Sequence, residues 1–312
     1  MSDLSVDING VILHNPIMPA SGTFDKELAA IIDFNQLGAI VTKTFTADKR
    51  SGNPVPRACE LPNAMLNAIG IPSKGVNHYI EHSVPYYRQY TPPLITSISA
   101  NTATDFGLLA AKLDKVAGIT AIEANISCPN IDAHGKAFAM EADSTAHVVN
   151  ALRKATKLPL WVKLTPNTGD IISVAKAAQD HGADAVIVGN TVLGMAIDIT
   201  TRRPKLGNIM GGLSGPAIKP IMLRMVYQCY KHITIPIIGC GGITTVDDVI
   251  EYFLAGSSAV QIGTANFIEP SIMITLIDDL HAYCQANKIA CLRDLTGALI
   301  DEKFTTLDAL PY

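Results

Sequence analysis

The stretch Ala121-Ile-Glu-Ala-Asn-Ile-Ser-Cys-Pro-Asn130 reads as a buried strand that runs out into polar residues. Small and β-branched side chains fill 121–127, and Pro129 drives the chain out of the strand. Cys128 therefore stands just past a strand end, flanked by Asn125 and Asn130. Polar residues at the ends of apolar strands are where α/β barrels keep their chemistry. An ionised thiol placed there acts as a base or a nucleophile, and two amides can grip a planar polar ring. A lone cysteine is equally a small packing residue, so the rest of the chain has to decide.

Outward from this stretch the same unit recurs: a short apolar strand, a polar or glycine-bearing end, then a helical pattern. Strands are expected over 16–20, 39–44, 94–99, 121–127, 160–165, 185–191, 236–241 and 259–264. Helices fall between them, among them 146–156, 171–181 and 246–255. The last begins after Thr244 and Thr245 and carries Asp247 and Asp248 in its first turn, a good amino-terminal signature. Gly38, Gly182 and Gly256 are expected to close helices ahead of the next strand. Strand–helix alternation repeated eight times implies a parallel sheet closed into an α/β (β/α)8 TIM barrel. A doubly wound open sheet would want GxGxxG at its first strand-to-helix turn, and Ala20-Ser-Gly-Thr-Phe24 is not that. Two segments break the rhythm, 47–75 after the second strand and 192–220 after the sixth, and both read as lids or binding elements, or else as disordered loops. With no linker or low-complexity tract, residues 1–312 are expected to form a single domain.

Composition narrows the partners. Hydrophobic residues make up 48% of the 312 and charged ones only 17%, enough for a sizeable core. A net charge of −4 argues against nucleic acid or an anionic membrane. The apolar runs are too short for a membrane span, and the N-terminus lacks a basic-then-apolar signal. The cysteines at 59, 128, 229, 240, 284 and 291 form no CxxC pair, which speaks for a reduced, cytoplasmic setting. Cys59 reads as packing, and Cys229, Cys284 and Cys291 as buried small residues in helical patterns.

The strand ends supply the candidate site: Ser21; Lys43 with Thr44; Ser97 or Ser99; Asn125; Lys163; Asn190 with Thr191; Gly241 with Gly242; Gly263 with Thr264. Two lysines inside apolar strands are the unusual members, since a buried lysine needs an anion. That anion is either an internal carboxylate, with Glu123 available, or a ligand. Glycine pairs in register on the seventh and eighth strands suit a phosphate cradled by backbone N–H groups. Flavin mononucleotide (FMN) would use such a cradle together with a cation near its ring, the part that Lys163 can play. Trp161 shares parity with Lys163 and should fill the core beneath the ring, and Glu123 should be hydrogen-bonded inside the barrel. His78 and His82, four residues apart, read as solvated surface.

With these residues in hand, the chain resembles class 1 dihydroorotate dehydrogenases over nearly its whole length. The matching stretches are PASGTF (19–24), LGAIVTKT (37–44), GNPVPR (52–57), MLNAIGI (65–71) and NISCPN (125–130). Further on come VKLTPN (162–167), NTVLGMAIDI (190–199), GGLSGPAIKP (211–220), GCGGI (239–243) and QIGTANF (261–267). Cysteine at 128 is similar to class 1, because class 2 enzymes place a serine there. The stretches around 194–199 and 211–228 look like subgroup 1B, which works with a second subunit carrying FAD and a [2Fe-2S] cluster and reduces NAD. The rival within the family is a class 1A homodimer that reduces fumarate, and a more remote one is a non-catalytic flavin-binding subunit.

The resemblance implies roles residue by residue. FMN would lie at the barrel mouth with its phosphate on Gly241, Gly242, Gly263 and Thr264. Ser21, Lys43, Thr44, Asn125, Lys163, Gly189 and Gly215 would line the rest of it. Ser97, where many 1B members carry an asparagine, is expected at the remaining flavin contact. Dihydroorotate would be held by Lys43, by Asn67, Ala68, Ile69, Gly70 and Ile71, and by Asn125, Asn130, Asn190 and Thr191. Cys128 would be the general base, taking the C5 proton while the C6 hydride leaves for the flavin, and the loop 131–142 with Gly135 would be a lid. The expected assembly is a homodimer of barrels within a heterotetramer that contains the FAD/[2Fe-2S] subunit.

Overall fold

In the computed structural model, residues 2–127 and 137–301 are described. The eight apolar runs form one parallel sheet: β1 Ile17–Pro19, β2 Ile40–Val41, β3 Leu94–Ile98, β4 Ala121–Asn125, β5 Leu160–Lys163, β6 Ala185–Val188, β7 Ile237–Cys240 and β8 Ala259–Ile262. Their order is β1-β8-β7-β6-β5-β4-β3-β2, a barrel in which every strand neighbours its successor in sequence. The remaining seam lies between β1 and β2, where the Gly38 N–H donates to Ile17 O at 2.8 Å. Every residue of these strands is buried, as a parallel sheet covered on both faces requires. Each strand lies inside the range expected from its apolar run.

Among the described residues, six α-helices of ten or more residues surround the barrel: α1 Ala103–Leu113, α2 Ala142–Ala155, α3 Ile171–Asp180, α4 Lys219–Tyr230, α5 Val246–Ala255 and α6 Ile272–Ala286. Caps explain their starts. Thr102 accepts from the Asp105 amide ahead of α1, and Asp170 accepts from the Ser173 amide ahead of α3. Helix α2 begins four residues earlier than its apolar periodicity suggests, because Ser144 and Thr145 turn their hydroxyls onto Phe138 O and Glu141 O. The helix expected between β1 and β2 is replaced by two 3-10 turns, Lys26–Ala30 and Phe34–Gln36. Phe34 anchors them against Phe24 and Tyr90, with ring centroids 4.6 and 5.0 Å apart. Gly182 and Gly256 leave their helices at φ 103° and 117°, as expected of closing glycines. Gly38 does not: it is needed because a Cβ there would lie 2.0 Å from Asn15 O at the β1–β2 seam.

The segments after β2 and β6 are not irregular loops. Ala58–Leu61 and Ala64–Asn67 from the first pair with Met210–Ser214 and Val192–Met195 from the second in one antiparallel four-stranded sheet. The second segment ends sooner than expected, since α4 already begins at Lys219. A hairpin, Val6–Ile8 with Val11–Leu13, precedes the barrel and turns at Asn9-Gly10, both at positive φ. Cys229 and Cys284 are buried in α4 and α6. Cys291 departs from expectation: α6 has ended at Ala286, and Cys291 lies half-buried ahead of the turn Leu292–Leu295. Among the described residues no helix is long and apolar enough to cross a membrane.

The start of α5 holds the loop after β7. Thr245 Oγ1 accepts from the Asp248 amide at 3.3 Å, while Asp248 Oδ2 accepts from the Thr244 and Thr245 amides at 2.8 and 2.9 Å. Lys219 Nζ, at the start of α4, donates to Asp248 Oδ1 at 2.6 Å. Burial works to raise the Asp248 pKa, but Lys219 and the two amides outweigh it and hold the carboxyl below its ordinary 3.8. The stabilisation is therefore present above that value and is lost as pH falls through the lowered one. Asp248→Asn should cost about 1–3 kcal/mol at pH 7 in chemical denaturation. The gap between the wild type and the variant should narrow as the pH is taken below about 4; a gap independent of pH would remove the charge from this account.

Candidate active site

The carboxyl ends of the eight strands and the antiparallel sheet above them enclose a cavity of about 890 Å³. Its floor follows from strand parity. In register across the barrel, Glu123 stands opposite Ser97 and Trp161, and one layer higher Asn125 stands opposite Lys163. Glu123, Ser97, Gln261 and Trp161 are all 0% exposed, so the lower layer is sealed. Trp161 fills the core as its parity suggests, and its Nε1 has no hydrogen-bond partner among the described residues.

A buried carboxylate has to be met by donors, and Glu123 is. Ser97 Oγ donates to Glu123 Oε1 at 2.8 Å and Gln261 Nε2 to Glu123 Oε2 at 2.7 Å. Gln261 Oε1 accepts from Lys163 Nζ at 2.7 Å, and Ser21 Oγ stands 3.5 Å from the same ammonium. On the other side, Ser97 Oγ is 2.8 Å from Thr44 Oγ1, which accepts from Asn125 Nδ2 at 3.4 Å. Asn190 Nδ2 donates to Asn125 Oδ1 at 3.4 Å. One hydrogen-bonded chain thus crosses the floor from Lys163 to Asn190. Lys163 is 3% exposed, and Glu123 reaches it only through Gln261, so no carboxylate pairs with it directly among the described residues.

Of the expected site residues, Ser21, Lys43, Thr44, Asn125, Lys163, Asn190 and Thr191 line the cavity, as do Gly215, Gly241, Gly242, Gly263 and Thr264. Asn67, at the end of a strand of the antiparallel sheet, and Ala68, Ile69, Gly70 and Ile71 just after it form its rim. Asn53 fastens that rim, its N–H donating to Ile69 O at 3.1 Å and its Nδ2 to Ala68 O at 3.2 Å. Ile71 holds φ 48°, a costly backbone for a β-branched residue, directly after Gly70 at 75°. Lys43 is exposed on the wall instead of buried in a strand, because β2 ends at Val41. Two expected residues do not line the cavity. Ser97 lies beneath it on Glu123, and Gly189, joined to Val188 by a cis peptide, packs beside Met222 and donates to Cys240 O at 3.1 Å. Cys128, Asn130 and residues 131–136 of the expected lid lie outside the described residues. The far end of that loop is pinned by Phe138, 1% exposed and 5.9 Å from Phe106 by ring centroids. Neither of two other cysteines competes for a reactive role: Cys240 lines the wall with its thiol pushed up by burial, and Cys59 lies on the antiparallel sheet away from the lining.

Sequence reasoning did not single out Gln261 or Asn167. Gln261 is the one polar residue in Ala-Val-Gln-Ile262, and that interruption was its signal. Asn167 Nδ2 donates to Thr191 O at 3.0 Å and its Oδ1 accepts from the Leu193 amide at 2.8 Å, tying the β5 end to the β6 segment. The cavity residues fit FMN on three counts. Lys163 offers a buried cation with no direct carboxylate partner. A Cβ on Gly263 would meet only Ala20 Cβ, at 3.7 Å, and so would project into the cradle. The Gly241 and Gly242 amides have no acceptor among the described residues. The Thr244 and Thr245 amides, by contrast, are already taken by Asp248, which leaves the glycines among the free donors of this loop within the described residues.

Comparison with known proteins agrees with this geometry. Residues 3–283 match the family model described as dihydroorotate dehydrogenase. The chain is 46% identical to the "Dihydroorotate dehydrogenase B (NAD(+)), catalytic subunit" of Geotalea uraniireducens, covering 96% of this chain and 98% of that protein. It is 47% identical to the protein of the same name from Desulforamulus reducens, over 95% and 98% of the two chains. For that of Thermoanaerobacter pseudethanolicus the identity is 45%, over 95% and 99%. An eight-stranded barrel with a lysine and linked amides in its mouth, matched along nearly its full length, makes the chain a member of the dihydroorotate dehydrogenase family.

Proposed function

We propose that this chain oxidises dihydroorotate to orotate in de novo pyrimidine biosynthesis, as the catalytic subunit of an NAD-linked enzyme. The observation that carries the reading is the floor of the cavity, where a buried lysine and two linked amides converge beneath a glycine cradle. The relatives named above, at 45–47% identity over almost their whole length, favour NAD over fumarate as the acceptor. FMN, when bound, supplies the acceptor for the hydride that leaves C6.

The chain's own residues do the rest. Gly241, Gly242, Gly263 and Thr264 hold the cofactor phosphate through backbone donors, and Lys163 offers its cation to the electron-rich ring. Lys43, unpaired among the described residues, answers the substrate carboxylate. Asn67, Asn125, Asn130 and Asn190 match a ring whose amides and carbonyls alternate. Thr191 and the rim 68–71 close over it, excluding water. Cys128 takes the C5 proton onto Sγ. An ordinary thiol has a pKa of about 8.5, so this step gains speed as pH rises towards that value.

Electrons then leave through a second subunit carrying FAD and a [2Fe-2S] cluster, and the barrels pair as a homodimer within a heterotetramer in the cytoplasm. Docking is supported by the apolar face of the segment after β6, where Leu193 is 62% and Ile199 87% exposed. A family match over 3–283 supports one cofactor-binding domain for the chain.

Anaerobic addition of dihydroorotate to the purified yellow chain should bleach its visible absorbance, and a colourless or unresponsive protein would remove the reading. Cys128→Ala should slow that bleaching by about 10²–10⁴-fold, and the wild-type rate should rise with pH across the thiol range. Near-normal reduction in the variant would take Cys128 out of the chemistry. Gly263→Val should weaken FMN binding by roughly tenfold or more, as a side chain fills the cradle. Its melting temperature without cofactor should stay at the wild-type value.

A further inference from the structure

We infer that Glu123, which does not line the cavity, is a positioning residue that sets the hydrogen-bond polarity of the whole cavity floor. The inference rests on the flavin reading above and goes beyond it. Both Glu123 oxygens accept, one from Ser97 at 2.8 Å and one from Gln261 at 2.7 Å. An amide has one donor end and one acceptor end, so turning Gln261 Nε2 to the carboxylate leaves Oε1 facing Lys163 Nζ at 2.7 Å. Glu123 thereby fixes the place of the lysine it does not touch.

The same logic runs the other way. Ser97 has one proton and spends it on Glu123, so its 2.8 Å contact with Thr44 must be donated by Thr44. With that proton spent, Thr44 Oγ1 can only accept, and it accepts from Asn125 Nδ2 at 3.4 Å. Asn125 Oδ1 then accepts from Asn190 Nδ2 at 3.4 Å, while Asn190 Oδ1 takes the Thr191 amide at 2.8 Å. Each amide oxygen already accepts one bond, while each Nδ2 has a hydrogen left over, and so has Lys163. The floor therefore offers its ligands donors, which select oxygen-rich faces. A neutral, isosteric glutamine at 123 carries a donor of its own, so it would let Gln261 and the Ser97–Thr44 pair reverse. It would also remove a buried negative charge beneath the cofactor and make the bound flavin easier to reduce.

The test uses the FMN-loaded chain and two measurements, the flavin midpoint potential and the orotate dissociation constant read from flavin absorbance. Glu123→Gln should move the potential to more positive values and weaken orotate by about tenfold, the effect of disordering one or two hydrogen bonds. Ser97→Ala keeps the charge but frees the Thr44 hydroxyl. It should weaken orotate by roughly threefold or more and leave the potential unmoved. That split is one that a merely structural role would not produce. Wild-type values of both quantities in both variants would overturn the inference, as would a potential shift in Ser97→Ala equal to that in Glu123→Gln. Should Glu123→Gln fail to fold, Ser97→Ala decides alone: weakened orotate supports the inference and unchanged orotate overturns it. A wild-type chain that takes up FMN and binds orotate while both variants match it overturns this inference alone. A wild-type chain that takes up no FMN overturns the proposed function, and this inference with it.

Discussion

A carboxylate sealed inside a β-barrel costs several kcal/mol unless donors surround it, and Glu123 imposes that condition on this fold. Its two oxygens reach β3 through Ser97 and β8 through Gln261, binding three strands from the inside. Apolar packing cannot replace these bonds, because the oxygens would then be left unpaired. The lower layer is therefore fixed in identity as well as in volume: Ser97 beside Glu123, Gln261 across from it, and Trp161 filling what remains. The layer above inherits its positions from this one. Asn125 and Lys163 sit two residues further along the strands of Glu123 and Trp161, on the same face and one step closer to the mouth.

Much of this was legible in the residue order, for a physical reason. Parallel strands covered on both faces are short continuous apolar runs, and all eight stood out, each bracketed by polar or glycine punctuation. The capping box at Thr245 and Asp248 was visible because a cap is local chemistry, written within four residues. Strand parity correctly sent Glu123 and Trp161 inward for the same reason. The glycine pairs at the ends of β7 and β8 and the amides at the ends of β4 and β6 fell into one cavity because parallel strands present their carboxyl ends on one side.

What the order of residues left hidden is non-local. The segments after β2 and β6 looked like loops since their glycines and prolines break periodicity, yet Leu66 and Leu213 pair across the barrel mouth. Nothing near either residue announces the other. Gly38 resembled a helix terminator, whereas its requirement comes from Asn15 in the bend ahead of β1. Lys43 read as a buried strand residue, but β2 stops after two residues and frees it. Gln261 escaped notice because its importance lies in Lys163 and Glu123, both about a hundred residues or more distant along the chain.

The antiparallel sheet over the mouth also has a bearing on how the chain reaches its native state. Ser214 bonds to Met65 across 149 residues of sequence, so its pairing must wait until the second and sixth strands have been brought within reach of each other. Contacts of such separation carry the full entropy of loop closure and assemble late. The canopy, partly exposed where the barrel strands are wholly buried, is the first part to open. Access to the interior is governed by a rim whose own hold on the molecule is weaker than that of the barrel beneath it.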